Sequence, residues 1–379
     1  MHFGKFFIVT TTLLLLIVLL TGCSKDSPSE PEPTFYDELQ TALDINLGGN
    51  GGVGASMTII MPDGEIRNFV SGVSHGTTSI SPDMLFNIAS VTKTFTAATI
   101  LQLMEEGVLS LDDSLHQWLR SYPNVDSTIT IRQLLNHTSG VFDVWDIPNY
   151  LDIVAEDFSR RWTPEEIIEN LTLEPYCAPG EEYNYSNNGY ILLGMIIQAA
   201  TGSSVSAEIR NRFLEPLSLN HTFFEVEEEL NSNIAHGWRD IDDDRIPDDL
   251  TLIPRTAFYS LEWTAGAMFS TSEDIAKWSQ ALFRGDVLNQ STLQEMLDFN
   301  RHSIPGRATA GYGLGIGLFY LPEFNGTESY GHGGENPGYR MSMLYFPNED
   351  IHFIIMLNGA NGECFWDIME AVGAILFNR

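Results

Sequence analysis

Residues 86–98 read FNIASVTKTFTAA, and this stretch decides the fold and the chemistry that we expect of the chain. Small and helix-forming residues follow Ser90, and neither Pro nor Gly occurs before Gly107, so the pattern predicts a helix. Ser90 and Lys93 share one face of that helix. A lysine whose pKa is lowered by burial and by a helix N-terminus can take the proton of a serine hydroxyl. Because the same spacing also occurs by chance on solvated helix faces, the hypothesis needs partners elsewhere in the chain.

The composition is acidic. The chain has 379 residues with 51 Asp and Glu against 19 Lys and Arg, which gives a formal net charge of −32. Phosphate groups would be repelled, which argues against nucleic acid as a partner and against electrostatic attachment to anionic lipid. A hydrophobic fraction of 43% indicates a globular core. The length allows one large domain with two subregions, or two domains.

The first 35 residues have the pattern of an export signal followed by a tether. Lys5 precedes an uncharged, largely apolar run from Phe6 to Leu20, which is short for a membrane span and fits an export signal. Residues 20–23, LTGC, resemble the lipobox of bacterial lipoproteins, in which Cys23 would carry the lipid. We therefore predict a signal peptide over 1–22, a Pro-containing tether over 23–35 and a lipid-anchored protein of the cell envelope. An uncleaved anchor helix is the alternative.

Strand patterns occur at both ends of the remaining chain. The sequence predicts strands over Val53–Met61, Ile66–Val73, Tyr312–Tyr320, Glu328–His332, Gly338–Phe346 and Ile351–Asn358. It predicts helices over Tyr36–Asn46, Asp112–Leu119, Thr130–Leu135, Thr163–Leu171, Tyr190–Ala200, Phe269–Phe283 and Phe365–Phe377. We expect an α/β (α+β) fold with an antiparallel sheet built from both chain ends and flanked by helices. Residues 36–107 and 262–379 would form this part, residues 108–261 a mostly helical insertion, and a cleft would lie where they meet.

Three further segments carry groups that could complete a site around Ser90. Tyr185 and Asn187 lie two positions apart, just ahead of a predicted helix. His332 begins a His-Gly-Gly run whose glycines would let a strand edge approach a ligand closely. The third segment, LLNHTSG, covers residues 134–140.

Together these motifs resemble the serine β-lactamase and penicillin-recognising enzyme superfamily over about residues 36–379. S-x-x-K is formed by Ser90 and Lys93, Y-x-N by Tyr185 and Asn187, and the third motif by His332 to Gly334. The resemblance is strongest to the branch with class C β-lactamases, D-alanyl-D-alanine carboxypeptidases, D-amino-acid peptidases and β-lactamase-like esterases. It implies a β-lactamase/transpeptidase-like fold over residues 36–379.

The resemblance also implies roles for these residues. Ser90 would be acylated while Lys93 and Tyr185 move its proton, with the tyrosine anion made accessible by Lys93 and a second cation. Asn187 would hold the substrate amide and the lysine, and backbone N–H groups of Ser90 and Glu335 would bind the oxyanion. His332, Gly334 and Glu335 would contact the substrate. We expect no metal and no cofactor, a monomer, and a peptidoglycan-like peptide, a β-lactam or an ester as substrate.

One departure from the family pattern bears on the substrate. His332 stands where class C β-lactamases carry lysine, and an imidazole is a weaker anchor for a substrate carboxylate. Glu335 would repel an anionic substrate if its side chain points inward. We therefore expect a D,D-carboxypeptidase, peptidase or esterase with at most weak β-lactamase activity. A catalytically silent, membrane-tethered protein that binds cell-wall fragments is the alternative.

Other motifs admit simpler interpretations. Ser74 lies in a G-x-S-x-G pattern, but no helix pattern follows, so we interpret the segment as a strand end. His137 is expected to cap or pack a turn near the cleft. Trp145 and Tyr150 either line a substrate lid or pack in the core.

An acidic segment and a pair of cysteines each allow two interpretations. The spacing of Asp240, Asp242 and Asp244 hints at calcium, but Arg245 replaces the required glycine, which favours a solvated loop. Cys177 and Cys364 are either bridged or separately buried.

Overall fold

The computed structural model describes residues 33–49, 53–230, 233–240, 246–299, 309–359 and 362–377. The predicted signal peptide, Cys23 and most of the tether lie outside these residues, as do Asp242, Asp244 and Arg245. The division between residues 108–261 and the rest stays a prediction.

An antiparallel sheet forms the centre of the fold. The strands of the described residues are β1 (Gly54–Ile60), β2 (Ile66–His75), β3 (Thr78–Ser79), β4 (Phe86–Asn87), β5 (Phe223–Phe224), β6 (Trp238–Arg239), β7 (Asp248–Asp249), β8 (Met268–Ser270), β9 (Thr309–Tyr312), β10 (Gly317–Tyr320), β11 (Glu328–Asn336), β12 (Tyr339–Phe346) and β13 (Ile351–Leu357). Eight of them form the large sheet, in the order β3-β2-β1-β13-β12-β11-β10-β9. Strand β1 pairs with β2 on one side and with β13 on the other, so the sheet is built from both ends of the chain, as predicted.

Helices cover both faces of this sheet. They are α1 (Phe35–Gly49), α2 (Thr92–Glu105), α3 (Ile131–Leu135), α4 (Tyr150–Ala155), α5 (Pro164–Asn170), α6 (Asn187–Thr201), α7 (Val205–Ile209), α8 (Thr256–Gly266), α9 (Ser272–Arg284), α10 (Gln290–Met296) and α11 (Gly362–Phe377). Helices α1 and α11 bury one face, where Leu43 and Phe365 join Met57 of β1 in a common apolar cluster. Helix α9 covers the other face, where Ser56 and Thr58 of β1 both bond to Ser272 Oγ. The mixed fold class is confirmed.

Helix α2 is the central buried helix of the structure. Its residues from Thr92 to Leu101 are all buried, so it has no solvated face over that length. Trp278 of α9 stacks on Phe95 with ring centroids 4.0 Å apart and donates its indole N–H to Thr94 Oγ1 at 2.9 Å. The chance alternative for S-x-x-K, a solvated helix face, is therefore wrong.

Two predicted helices differ from the structure. Residues 112–119 contain only a 3₁₀ turn at Leu115–Gln117, because the N–H groups of Leu115 and His116 bond instead to the carbonyls of Ile129 and Ser127. The helix predicted from Phe269 begins at Ser272, because Thr271 caps it by accepting the N–H of Asp274 at 3.2 Å. Residues 268–270 form β8, which pairs with β4 ahead of Ser90.

The structure also answers two questions that the sequence left open, on the G-x-S-x-G pattern and on the two cysteines. Ser74 is a buried residue of β2, so the G-x-S-x-G pattern is a strand end, as interpreted. Cys177 and Cys364 are both free thiols.

Among the described residues no single helix is both long and apolar enough to cross a membrane. Helix α6 and residues 205–214 are long and apolar enough only together, as two segments bent by 79°.

Candidate active site

Ser90 lies at the entrance of α2, in a tight 3₁₀ turn over Ala89–Val91. Ala89 has φ +45°, a left-handed conformation that a non-glycine residue adopts only when its surroundings hold it there. Asn87 supplies that restraint, because its Oδ1 accepts the N–H of Ala89 at 3.0 Å and the amide of Asn336 at 2.8 Å. The turn before Ser90 is thus tied to the end of β11.

The amine of Lys93 is buried behind Ser90 and contacts three oxygen atoms. Its Nζ lies 2.7 Å from Asn187 Oδ1, 2.7 Å from the carbonyl oxygen of Ala265 and 3.1 Å from Ser90 Oγ. The first two oxygens can only accept, so they take two N–H groups. A further tetrahedral direction of Nζ faces Ser90. In a neutral lysine, the lone pair of the nitrogen points in this direction, toward the serine hydroxyl.

The charge state of Lys93 follows from its burial. Burial lowers the pKa of Lys93 to about 7, although the carboxylates of Glu262 and Asp143 oppose this change. A large fraction of the molecules then holds a neutral amine at neutral pH. The arrangement suits a base that takes the proton of Ser90.

Tyr185 contacts Ser90 from the other side. Its hydroxyl donates to Ser90 Oγ at 2.9 Å. Burial raises the pKa of Tyr185 well above its ordinary value, so the phenol stays protonated. This direction is opposite to the one expected for an accessible tyrosine anion, although Lys93 Nζ lies 4.9 Å from the ring centroid.

Asp143 fixes the orientation of the Asn187 side chain. The sequence analysis did not identify this acid. The amide nitrogen of Asn187 donates to both carboxylate oxygens of Asp143, at 3.0 and 3.1 Å. This leaves Asn187 Oδ1 pointing at Lys93. Asp143 follows the HTSG motif closely, but no pattern in the sequence distinguishes it from other acids.

Glu262 of α8 is a second buried acid that sequence analysis missed. Its Oε1 accepts the indole N–H of Trp145 at 2.7 Å and the hydroxyl of Tyr150 at 3.2 Å, and the residue lines the cleft. Burial raises the pKa of Glu262 to about 7, with Lys93 opposing. Trp145 lines the cleft, whereas Tyr150 is buried, so of the two only Trp145 fits the substrate-lining alternative.

His137 positions the segment that carries Tyr185. Its Nδ1 accepts the N–H of Ser186, the residue that caps α6, at 3.1 Å, and its ring lies 4.2 Å from that of Tyr185. The predicted role of His137 in capping and packing a turn near the cleft is confirmed.

His332 is held as a neutral side chain. Its Nδ1 lies 2.6 Å from the carbonyl oxygen of Gly333, which can only accept, so Nδ1 carries the proton. Nε2 then accepts the hydroxyl of Tyr312 at 2.8 Å. Burial lowers the pKa of His332 to about 3, so the ring offers no positive charge to a substrate carboxylate.

Strand β11 approaches the Ser90 turn closely at Gly334. A Cβ atom at this position would lie 2.5 Å from the carbonyl oxygen of Ile88, so only glycine fits there. Glu335 follows with an exposed side chain that pairs with Arg340 at 3.7 Å. Its carboxylate is therefore partly neutralised at the rim.

These residues surround a cleft of about 580 Å³. The acids of its lining are Asp143, Asp146, Glu262 and Glu335, and its basic residues are Arg239 and Arg340. Within the described part of the chain, no three His, Cys, Asp or Glu side chains are grouped as metal ligands.

The beta-lactamase family model matches residues 46–370. The chain belongs to the beta-lactamase family. Penicillin-binding protein 4* of Bacillus subtilis is 29% identical over 312 residues, 79% of this chain and 66% of that protein. Protein flp of Staphylococcus aureus strain MRSA252 is 32% identical over 207 residues, 52% of this chain and 38% of that protein. The chain thus spans less than two thirds of the length of either relative.

Solved structures agree with this assignment. A D-stereospecific amidohydrolase from Streptomyces sp. superposes with a TM-score of 0.78 at 27% identity, covering 89% of this chain and 98% of its own. D-amino acid amidase from Ochrobactrum anthropi SV3, complexed with D-phenylalanine, gives a TM-score of 0.78 at 28% identity over 89% and 98% of the two chains. The comparisons thus agree on the fold and the family.

We predict that Glu262→Gln moves the pH dependence of Ser90 acylation to lower pH. In the wild type, the rate of labelling by a fluorophosphonate should rise with pH around 7, because the neutral form of Lys93 is the base. Removing a carboxylate that stabilises the ammonium lowers the pKa of Lys93, so the midpoint should fall. The matched control is Glu174→Gln on the exposed surface. An unchanged or higher midpoint in Glu262→Gln would contradict this electrostatic link.

We predict that Asp143→Asn slows the same labelling roughly 10- to 100-fold, because an NH2 donor replaces one of the two oxygens that accept from the Asn187 amide and orient it. The comparison is made at pH 9, where Lys93 is neutral in both proteins, so that a change in its pKa cannot mask the loss of positioning. Asp146→Asn, at a cleft acid that does not bond to Asn187, is the control. Equal rates for Asp143→Asn and wild type would show that Asp143 does not position the site.

Proposed function

We propose that the protein hydrolyses amide or ester bonds through an acyl-enzyme on Ser90. The observation that carries this proposal is the contact of Ser90 Oγ with a base and an acid at once, Lys93 Nζ at 3.1 Å and the Tyr185 hydroxyl at 2.9 Å. The proposed sites are Ser90, Lys93 and Tyr185 for catalysis, with Asn187, His332, Gly334 and Glu335 contacting the substrate.

Each side chain has one step in this mechanism. Lys93 takes the proton of Ser90 as its oxygen attacks the carbonyl carbon, and backbone N–H groups of Ser90 and Glu335 receive the oxyanion. Tyr185 donates its proton to the leaving group and regains one from the Lys93 ammonium, so the serine proton leaves with the product. Water then attacks the acyl-enzyme by the same proton transfers in reverse.

Charge in the cleft bears on the choice of substrate. His332 is neutral with both ring nitrogens engaged, and Arg340 of the lining already pairs with Glu335. An acyl donor with a carboxylate next to the scissile bond, such as a penicillin or a D-Ala-D-Ala terminus, would therefore find no positive charge at His332. A donor with an ammonium group or no charge would be accepted. We therefore propose D-amino-acid amides, peptides and esters ahead of D,D-carboxypeptidase substrates, with weak β-lactamase activity at most.

The names of the similar proteins include both kinds of activity. Two solved structures are a D-stereospecific amidohydrolase and a D-amino acid amidase, and one relative is named Penicillin-binding protein 4*, so the order proposed here depends on the charge of the cleft. A catalytically silent binding protein for cell-wall fragments is the second candidate, but nothing in the site geometry favours it over the enzyme.

We predict that wild type becomes covalently labelled by a fluorophosphonate and hydrolyses D-alanine p-nitroanilide and short p-nitrophenyl esters faster than nitrocefin or a D-Ala-D-Ala peptide. Ser90→Ala and Lys93→Ala should lose the label while keeping the circular dichroism spectrum of the wild type. Intact-protein mass and initial rates are the measurements. Absence of a label with every acyl donor would support the binding protein, and faster nitrocefin hydrolysis would overturn the charge argument.

We also propose that the protein is an exported lipoprotein of the cell envelope, with Cys23 as the lipidated residue after removal of residues 1–22. Expressed in a bacterium, the full chain should fractionate with membranes and incorporate labelled palmitate. Cys23→Ser should incorporate none, whereas Cys177→Ser should behave as wild type. Palmitate incorporation by Cys23→Ser would refute the assignment.

A further inference from the structure

We propose that a second, apolar cavity beside the Ser90 cleft is a substrate subsite for an apolar side chain two to three residues from the scissile carbonyl. This inference rests on the proposed function and adds to it the class of substrate, a peptide rather than a single amino acid derivative. The cavity has a volume of about 390 Å³, within the range of small-molecule sites. Its apolar lining includes Leu151, Val154, Phe158, Ile253, Phe258 and Tyr339, and the charged residues Asp152, Asp240 and Arg255 also line it.

The two cavities adjoin. Arg239 and Pro337 line both of them. Trp145, which lines the reactive cleft, meets the ring of Phe258, which lines the second cavity, edge to face at 5.9 Å. The two cavities therefore share a boundary at Arg239 and Pro337, and this is where we expect a chain bound at Ser90 to enter the second cavity.

Strand β11 indicates the direction and the distance from Ser90 to the second cavity. Its pairing with β10 ends at Gly331, while the strand continues to Asn336 and is followed by Pro337. Gly334 lies against the Ser90 turn, so the stretch from Gly334 to Pro337 leads from the reactive serine to the second cavity. At roughly 3.3 Å per residue this stretch is about 10 Å long, which an extended peptide covers in two to three residues.

Arg239 gives the junction a polar group that suits a peptide. A guanidinium carries five N–H donors in a fixed plane, which can receive a backbone carbonyl oxygen of a chain that passes it. An apolar side chain beyond that carbonyl then leaves water for the second cavity. A single amino acid amide would fill only the reactive cleft.

The test compares matched p-nitroanilides and peptide amides. On the acyl side, Phe-Gly-D-Ala p-nitroanilide is compared with Gly-Gly-D-Ala p-nitroanilide; on the leaving-group side, D-Ala-Gly-Phe amide is compared with D-Ala-Gly-Gly amide. We expect Phe to raise kcat/KM about 10- to 100-fold over Gly in one of the two arms, which also shows on which side of the scissile bond the cavity lies.

Two variants locate the effect. Ile253→Trp and Val154→Phe fill the cavity and should abolish the preference for Phe while leaving hydrolysis of D-alanine p-nitroanilide unchanged, which also reports that they fold. Leu252→Trp, next to Ile253 but 76% exposed and outside the lining, should keep the preference.

The outcomes separate the two proposals. Turnover of D-alanine p-nitroanilide with no Phe preference in either arm, or a preference that survives in both filled variants, would overturn the subsite and leave the proposed function intact. No turnover of any substrate by the wild type would overturn the proposed function and the subsite together.

Discussion

The burial of the Lys93 amine is the constraint on which the rest of the site depends. Removing Lys93 from solvent disfavours its charged form, and the structure partly offsets that cost with the carboxylates of Glu262 and Asp143. The balance lies near neutrality, where the amine can both accept and return a proton. A lysine at the same helix position with its amine in water would stay charged and could not serve as a base at neutral pH.

The structure tolerates unfavourable backbone conformations to keep that amine in place. Ala89 has φ +45° before the nucleophile, and buried Trp263 has φ 32° and ψ −118° within α8. The kink at Trp263 lies two residues before Ala265, whose carbonyl accepts from Lys93 at 2.7 Å. Such conformations cost about 1–3 kcal/mol each and persist only where their surroundings fix them. Here two hydrogen bonds fix them. The Trp263 indole N–H donates to Glu227 Oε1 at 2.6 Å, and Asn87 Oδ1 accepts the N–H of Ala89.

The sequence predicted those parts of the fold and site that depend on local pattern. The sheet from both chain ends and the helix after Ser90 follow from periodicity, and the motifs gave the residues that meet at Ser90. Asp143 and Glu262 could not be predicted, because their effect arises from burial next to Lys93, and burial of one acid among 51 Asp and Glu leaves no local mark. The state of His332 and the protonated phenol of Tyr185 likewise depend on neighbours distant in sequence, Tyr312 among them. The predicted helix begins too early, at Phe269 within β8, because the apolar residues of this strand continue into the amphipathic pattern of α9.

Direct titration of Lys93 tests the central claim. The chain contains four lysines, Lys5, Lys25, Lys93 and Lys277, so the Nζ resonances of ¹⁵N-labelled lysine are few, and the spectrum of Lys93→Ala assigns the one that matters. Nuclear magnetic resonance across pH 5 to 11 should show this nitrogen losing its proton near pH 7, below the pKa of about 10.4 that an unperturbed lysine side chain has. If Lys93 instead loses its proton near the ordinary lysine value of about 10.4, its amine is charged at neutral pH and cannot be the base that activates Ser90.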